Sequence, residues 1–357
     1  MTSRRTFCRQ AATVMGAVAF GSRGLANPTQ SRPQAGRNGG RREVFVGRRR
    51  VKTVDVHCHC VVPGLMEMVG QRTPANGPLI MGTDRLRQMD EQGIDVQALS
   101  INPFWYAADV EVARRLIKLQ NEKLAEFCAA YSDRFVGFAT VALQHPELAA
   151  EQLEEGVKKL GLRGVSLGAS VNGEELASPR FDPFWAKAVD LGTPIFIHPQ
   201  GVAELRSRLQ GNGLLTNVIG NPLETTIALS HLIFEGTLDR FPGLKICAAH
   251  GGGYLPSYAD RSDHGCLTFP EQCNKTLKKR PTEYLRQLYV DSLVFTGEAL
   301  RHLVAEVGVS QIVLGTDYPY PWTSTAVDHV LGTPGLGDAD RIAILGGNAA
   351  ALLKIES

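Results

Sequence analysis

The residues best placed to do chemistry are His57 and His59, which flank Cys58 at the end of the run Thr53-Val54-Asp55-Val56. In a strand, side chains two positions apart share a face, roughly 6 to 7 Å apart along the chain. His57 and His59 therefore project together, and Val56, Cys58 and Cys60 project the other way. Two neutral imidazoles on one face suit zinc or a similar divalent ion, bound through nitrogen at about 2.0 to 2.1 Å. The plainer alternative is a hydrogen-bonded histidine pair at a barrel mouth. Three further polar residues, His198, His250 and Asp317, close later strand-like runs where packing alone would put Val, Ile or Leu.

The elements that must carry these residues alternate. Short β-rich runs are expected at Thr53 to His59, Val96 to Ile101, Phe135 to Val141, Gly164 to Gly168, Pro194 to His198, Lys245 to His250, Leu288 to Ser292 and Ile312 to Thr316. Helical periodicity separates them, clearest over Val110 to Tyr131, Pro146 to Leu160, Leu223 to Arg240 and Asp338 to Lys354. Apolar strands between amphipathic helices are the mark of a parallel sheet covered on both faces. Eight such units predict an α/β fold, a (β/α)8 TIM barrel over residues 51–357. Active sites of this fold lie at the carboxyl ends of the strands. His57 and His59 end the first strand, His198 the fifth and His250 the sixth, and Asp317 follows the eighth.

The N-terminus reads as an export signal. Ser3-Arg4-Arg5-Thr6-Phe7-Cys8-Arg9 is a twin-arginine signature, and the apolar stretch from Ala11 to Phe20 is too short to span a bilayer. Gly24-Leu25-Ala26 presents the small residues a signal peptidase requires, so residues 1–26 are a twin-arginine signal peptide cut after Ala26. Export in the folded state leaves no stable membrane anchor and a periplasmic or secreted protein that could take up its metal before leaving the cytoplasm. Residues 27–50 form a linker and arm whose arginines, from Arg37 to Arg50, are expected to be solvated.

Six of the seven cysteines lie beyond the cut. An even number in an exported chain invites disulfides. Their spacing is irregular and a core this large needs no staple, so mostly buried thiols are expected. The whole chain carries 38 basic and 36 acidic residues; removing Arg4, Arg5, Arg9 and Arg23 leaves 34 against 36, a net −2. Nothing in that balance suggests a nucleic-acid surface.

Asp55-Val56-His57-Cys58-His59, Ile197-His198-Pro199, Ala249-His250-Gly251-Gly252-Gly253 and Leu314-Gly315-Thr316-Asp317-Tyr318-Pro319 together resemble the amidohydrolase superfamily. More closely, the chain resembles the branch of aminocarboxymuconate-semialdehyde decarboxylase and the resorcylate-type decarboxylases. The likeness extends through Val96-Gln97-Ala98-Leu99-Ser100, Arg134-Phe135-Val136-Gly137 and Asn221-Pro222-Leu223-Glu224-Thr225-Thr226. It implies that His57, His59, His198 and Asp317 hold one divalent metal, zinc as the first choice and manganese as the alternative, with an open position of the catalytic kind. It implies that His250 is the general acid/base, a role suited to histidine near neutral pH, with the glycines after it opening the backbone to substrate.

The resemblance also matches Arg261 to a substrate-binding arginine that can serve the neighbouring subunit, which points to a homodimer and a small acidic organic substrate. A guanidinium fits a carboxylate in a two-pronged fork. The second family arginine is replaced here by Phe269. The expected activity is decarboxylation of a small unsaturated or aromatic acid. Two rivals are hydrolysis of a lactone or amide, or hydration of an unsaturated diacid, with Asp317 taking the proton of a water. A further rival is a non-catalytic metal-binding barrel.

Among the remaining candidates, Asp55 could orient His57, Asp291 ends the seventh strand, and His264 lies near Arg261. Trp105, Tyr106 and Trp322 could wall an apolar pocket. His145, His231, His302 and His329 read as helix-associated, the last two as exposed.

Overall fold

Eight parallel strands form one sheet in sequence order. They are β1 (Val54–His59), β2 (Val96–Ser100), β3 (Phe135–Ala139), β4 (Gly164–Gly168), β5 (Pro194–His198), β6 (Lys245–Ala248), β7 (Tyr289–Asp291) and β8 (Ile312–Val313). The computed structural model describes residues 40–74, 77–273 and 277–356. The twin-arginine segment and its cleavage point lie outside the described residues. β8 returns to β1 through Val56 N to Leu314 O (2.9 Å), Asp317 N to His57 O (2.8 Å) and His59 N to Tyr318 O (2.6 Å). These bonds close the barrel, and they do so beside the histidine pair.

Almost every strand residue is buried, which is why the strands read as unbroken apolar runs rather than as alternations. Long helices cover the outside: α1 (Arg85–Gln92), α2 (Val110–Ala130), α3 (Pro146–Lys158), α4 (Asp182–Leu191), α5 (Gly220–Phe234), α6 (Leu255–Thr268) and α7 (Gly297–Val307). Asp109 caps α2 by accepting from Val112 N at 2.9 Å, Pro146 starts α3, and Thr296 caps α7.

Several boundaries depart from the sequence expectation. The helix expected through Arg240 breaks after Phe234, where Gly236 takes φ +72°, and resumes at Thr237–Arg240. The C-terminal helix is interrupted by a wide turn at Ala343–Gly347 between Asp338–Ile342 and Asn348–Leu353. The registry of β1 against β2 shifts between Asp55 and Cys58. Val56 consequently packs with Val54, Val96 and Phe196, whereas Cys58 and Cys60 join the layer between barrel and helices. The common face expected for Val56 and those two cysteines is lost to this shift.

The arm is less solvated than expected. Phe45–Val46 pairs with Arg49–Arg50 as a hairpin, and Arg41 and Arg50 both bind the buried Asp95, at 2.6 and 2.5 Å. Arg42 binds Asp328. Four cysteines, Cys58, Cys60, Cys128 and Cys247, are the buried thiols expected, but Cys266 and Cys273 form a disulfide across a Cα separation of 5.4 Å. Two residues flanking a helix end can meet in this way whatever the size of the core. Among the described residues no helix is long and apolar enough to cross a membrane.

Candidate metal and active site

The four strand ends deliver their side chains to one point. His57 Nε2 lies 3.1 Å from His59 Nε2, and both nitrogens reach Asp317 Oδ1, at 3.1 and 3.0 Å. The His198 ring centroid is 4.5 Å from that of His59 and 5.1 Å from that of His57. His250 Nε2 is 3.6 Å from Asp317 Oδ2. Ligand atoms of His57, His198, His250 and Asp317 all fall within 4.8 Å of one another. All five expected residues are thus together, and distance alone does not set His250 apart from the ligands.

The donor set fits a divalent cation. Two buried imidazole nitrogens 3.1 Å apart present lone pairs to each other unless a proton or a cation lies between them. His198 Nδ1 and His250 Nδ1 are buried without a hydrogen-bond partner. The outer nitrogens of the strand-one pair are held instead: His57 Nδ1 by Asp291 Oδ2 at 2.6 Å and His59 Nδ1 by Ser100 Oγ at 3.1 Å. That pattern fixes the rings with Nε2 inward, as partners behind metal-binding histidines do.

Electrostatics follow from burial. Burial alone would lower the His57 imidazolium, but the Asp317 and Asp291 carboxylates outweigh it and raise its pKa to about 10. Burial would raise Asp317; the His57 charge and hydrogen bonds from His250, His57 and His59 hold it far below the carboxylate range. His198 is pushed well below its usual value by burial and then by the neighbouring histidines. With the proton of His57 displaced, the cluster is one carboxylate among neutral imidazoles, which is the form a metal requires.

Local backbone conformation places two of these groups. His250 has φ +56° and Asp317 φ +59°, a left-handed geometry uncommon outside glycine. β6 therefore stops at Ala248 rather than at His250. The glycines that follow are required by packing. A Cβ on Gly253, itself at φ +68°, would collide with the Pro222 carbonyl oxygen, and one on Gly251 would press on Val294 and Leu303. Gly315 is needed for closeness, since a Cβ there would sit 2.8 Å from Asp291 Cβ and 3.0 Å from His57 Cβ.

Asp55 lies beneath the cluster. It accepts from His57 N (3.1 Å), Thr316 Oγ1 (2.7 Å), Thr316 N (3.1 Å) and Gln97 Nε2 (3.1 Å), and burial raises its pKa to about 6. It ties β1 to the loop after β8 rather than facing the metal position. Sequence reasoning missed Ser100, Gln97 and Arg85. Arg85 is buried, donates to the His59 carbonyl at 3.1 Å and lies 4.9 Å over the Tyr318 ring, supporting the ends of β1 and β8 at once. Glu224 also went unassigned; it accepts from Gln200 N and Gly201 N, each at 2.6 Å, and so holds the loop after His198.

Trp105 and Tyr106 do not wall a pocket. Both are buried, Trp105 donating to Val141 O and the Tyr106 hydroxyl accepting from Gly168 N. The aromatic groups that do stand around the mouth are Trp322, Phe295 with its ring 6.4 Å from that of Trp322, and Tyr320 with its ring 5.8 Å from that of His59. Arg261 is exposed on α6 and makes no hydrogen bond or ion pair among the described residues. His264 is exposed as well. His329 is half-buried, not exposed, and burial lowers its pKa.

The family model described as Amidohydrolase matches residues 54–355. The chain belongs to the amidohydrolase family. Among curated relatives of this amidohydrolase, 2-amino-3-carboxymuconate-6-semialdehyde decarboxylase of Dictyostelium discoideum is 32% identical over 275 residues, covering 76% of each chain. Gamma-resorcylate decarboxylase of Rhodococcus jostii is 32% identical over 291 residues, covering 76% of this chain and 87% of the relative. Among solved structures, 5-carboxyvanillate decarboxylase of Sphingomonas paucimobilis superposes with a TM-score of 0.78 at 25% identity, covering 86% of this chain and 100% of that one. A dihydroxybenzoic acid decarboxylase of a Polaromonas species, solved with manganese and the inhibitor 2-nitroresorcinol, gives 0.76 at 28%, covering 85% and 97%.

Proposed function

We propose that this amidohydrolase is a metal-dependent decarboxylase of a small aromatic or unsaturated carboxylic acid. One observation carries the reading: a cluster of His57, His59, His198, His250 and Asp317 gathers at the strand ends of a chain 32% identical to decarboxylases over 76% of its length. A divalent cation held by His57, His59, His198 and Asp317 supplies Lewis acidity at that point. His250 delivers a proton to the carbon bearing the carboxylate. The electron pair of the carbon–carbon bond takes up that proton, and the carboxylate leaves as carbon dioxide. Phe295, Tyr320 and Trp322 offer apolar faces to a planar substrate.

Zinc is the assigned metal because the donor set is three imidazoles and one carboxylate. Manganese stays in the test because the Polaromonas relative carries it. Arg261 is assigned to a substrate carboxylate in the site of a second copy, which makes the active form a homodimer. Its exposure, and that of Tyr258 (66%), Leu267 (73%) and Phe269 (57%) on and after the same helix, supports this. Export by the twin-arginine route is supported by the Cys266–Cys273 disulfide, a bond that persists in oxidising compartments.

The deciding experiment follows carbon dioxide release and product mass from zinc-loaded and manganese-loaded protein starting at Asn27. The substrates are hydroxybenzoic, carboxyvanillic and aminocarboxymuconic acids. Metal-dependent loss of carbon dioxide from one of them establishes the activity. Gain of water on a lactone or an unsaturated diacid, with no such loss, overturns it in favour of hydrolysis or hydration.

A further inference from the structure

Asp291 touches two parts of the site that perform different tasks. Its Oδ2 lies 2.6 Å from His57 Nδ1 and accepts from the backbone N of His250 at 2.8 Å. Its Oδ1 accepts from Gly251 N at 2.8 Å and Leu293 N at 3.0 Å. The side chain has no exposure, so water cannot substitute for any of these partners.

The contacts constrain both partners. The bond to His57 Nδ1 sets which nitrogen carries the hydrogen and leaves Nε2, 3.1 Å from His59 Nε2, as the inward donor. The bonds to His250 N and Gly251 N hold two successive peptide groups at φ +56° and +63°. That left-handed turn aims the His250 ring at Asp317. Residues held in such conformations depend on surrounding structure to stay there. Here two bonds within the turn, Gly252 N to Ala249 O and Gly253 N to His250 O, are joined by those of one carboxylate, which reaches the turn from the next strand.

We propose that Asp291 is a positioning residue that couples metal binding to the placement of His250. The inference rests on the assignment of His57 as a ligand and His250 as the proton donor. Loss of the carboxylate frees His57 to flip or to take the wrong tautomer, and it releases the His250–Gly251 turn. Metal affinity and proton delivery then fall together, although Asp291 touches neither metal nor substrate.

The test compares Asp291→Asn and Asp291→Ala with the parent protein in three measurements. Zinc affinity is read by chelator competition, the His57 ring by nitrogen-15 correlation spectra of histidine-labelled protein, and kcat against pH with zinc in saturating excess. The expected result is a 10- to 100-fold loss of zinc affinity, loss of the His57 Nδ1–H signal, and a kcat that stays depressed with a displaced pH profile when metal is saturating. A merely structural Asp291 would lower the melting temperature and move none of these. If the alanine variant fails to fold, the isosteric asparagine variant carries the test.

Zinc affinity within twofold of the parent overturns the coupling, as does an unaltered pH profile in saturated enzyme. His250→Asn, run alongside, separates the two readings. Full activity in that variant overturns the proton-donor assignment itself. An inactive His250→Asn with a normal Asp291→Asn overturns the coupling alone.

Discussion

His250 Nε2 and Asp317 Oδ2 face each other across 3.6 Å from two left-handed backbones, at φ +56° and +59°. Each conformation disfavours an L side chain by roughly 1 to 2 kcal/mol. The two come from the turn after β6 and from the loop after β8, and no regular strand ending would aim both side chains at the same point.

Asparagine tolerates this backbone better than most residues, so His250→Asn is the variant that removes the imidazole with least disturbance. It is expected to lower kcat by about 10²- to 10⁴-fold, the usual contribution of a positioned acid or base. Metal content, read by atomic absorption, should stay at the parent level. A stoichiometric loss of metal would instead make His250 a ligand, which its membership of the 4.8 Å cluster allows.

Removal of the metal should abolish turnover and soften the fold. With zinc at 100 times its dissociation constant, stabilisation over the metal-free protein should be about 2.7 kcal/mol. Thermal melts with and without chelator read this directly. His198→Ala and Asp317→Asn should show no zinc-dependent shift, since each removes one of the converging donors.

Asp95 makes a pH-dependent contribution away from the site. Burial would raise its pKa, but Arg50, the Thr53 backbone and Arg41 outweigh it and hold it below the usual value. The sign follows from linkage: the stabilisation is complete above the unfolded-state value near 3.9 and is lost as pH falls through the lower folded value. Asp95→Asn should therefore destabilise by roughly 1 to 2 kcal/mol at neutral pH, by removing the charge that two partly exposed guanidinium groups share. In urea melts the gap between parent and variant should close below about pH 4.

The cysteines sort by burial. In protein starting at Asn27, a thiol reagent should find no reactive group in the native state and four after denaturation without reductant, namely Cys58, Cys60, Cys128 and Cys247. Cys266→Ser should lower stability by about 2 to 3 kcal/mol, from the short loop that the bond closes. Six thiols in denatured, unreduced protein would show that the pair is not oxidised.

The order of eight βα units, the strand-end positions of His57, His59 and His198, the place of Asp317 after the last strand and, to within two residues, that of His250 after the sixth were legible in the sequence. That information is local: apolar runs, helical periodicity, and polar residues breaking a run where a strand must stop. Only the tertiary structure decided the rest. Asp291 meets His57 at a sequence separation of 234 and His250 at one of 41, and no periodicity records such a meeting. The registry shift in β1 separates Val56 from Cys58 because the partner strand, not the run itself, sets the pairing. Trp105 and Tyr106 turned into the core, Arg85 went beneath the site and the arm docked on Asp95, each according to what the neighbouring elements left to be filled or paired. Closure of the barrel placed these partners, and a chain read residue by residue carries its periods but not its closure.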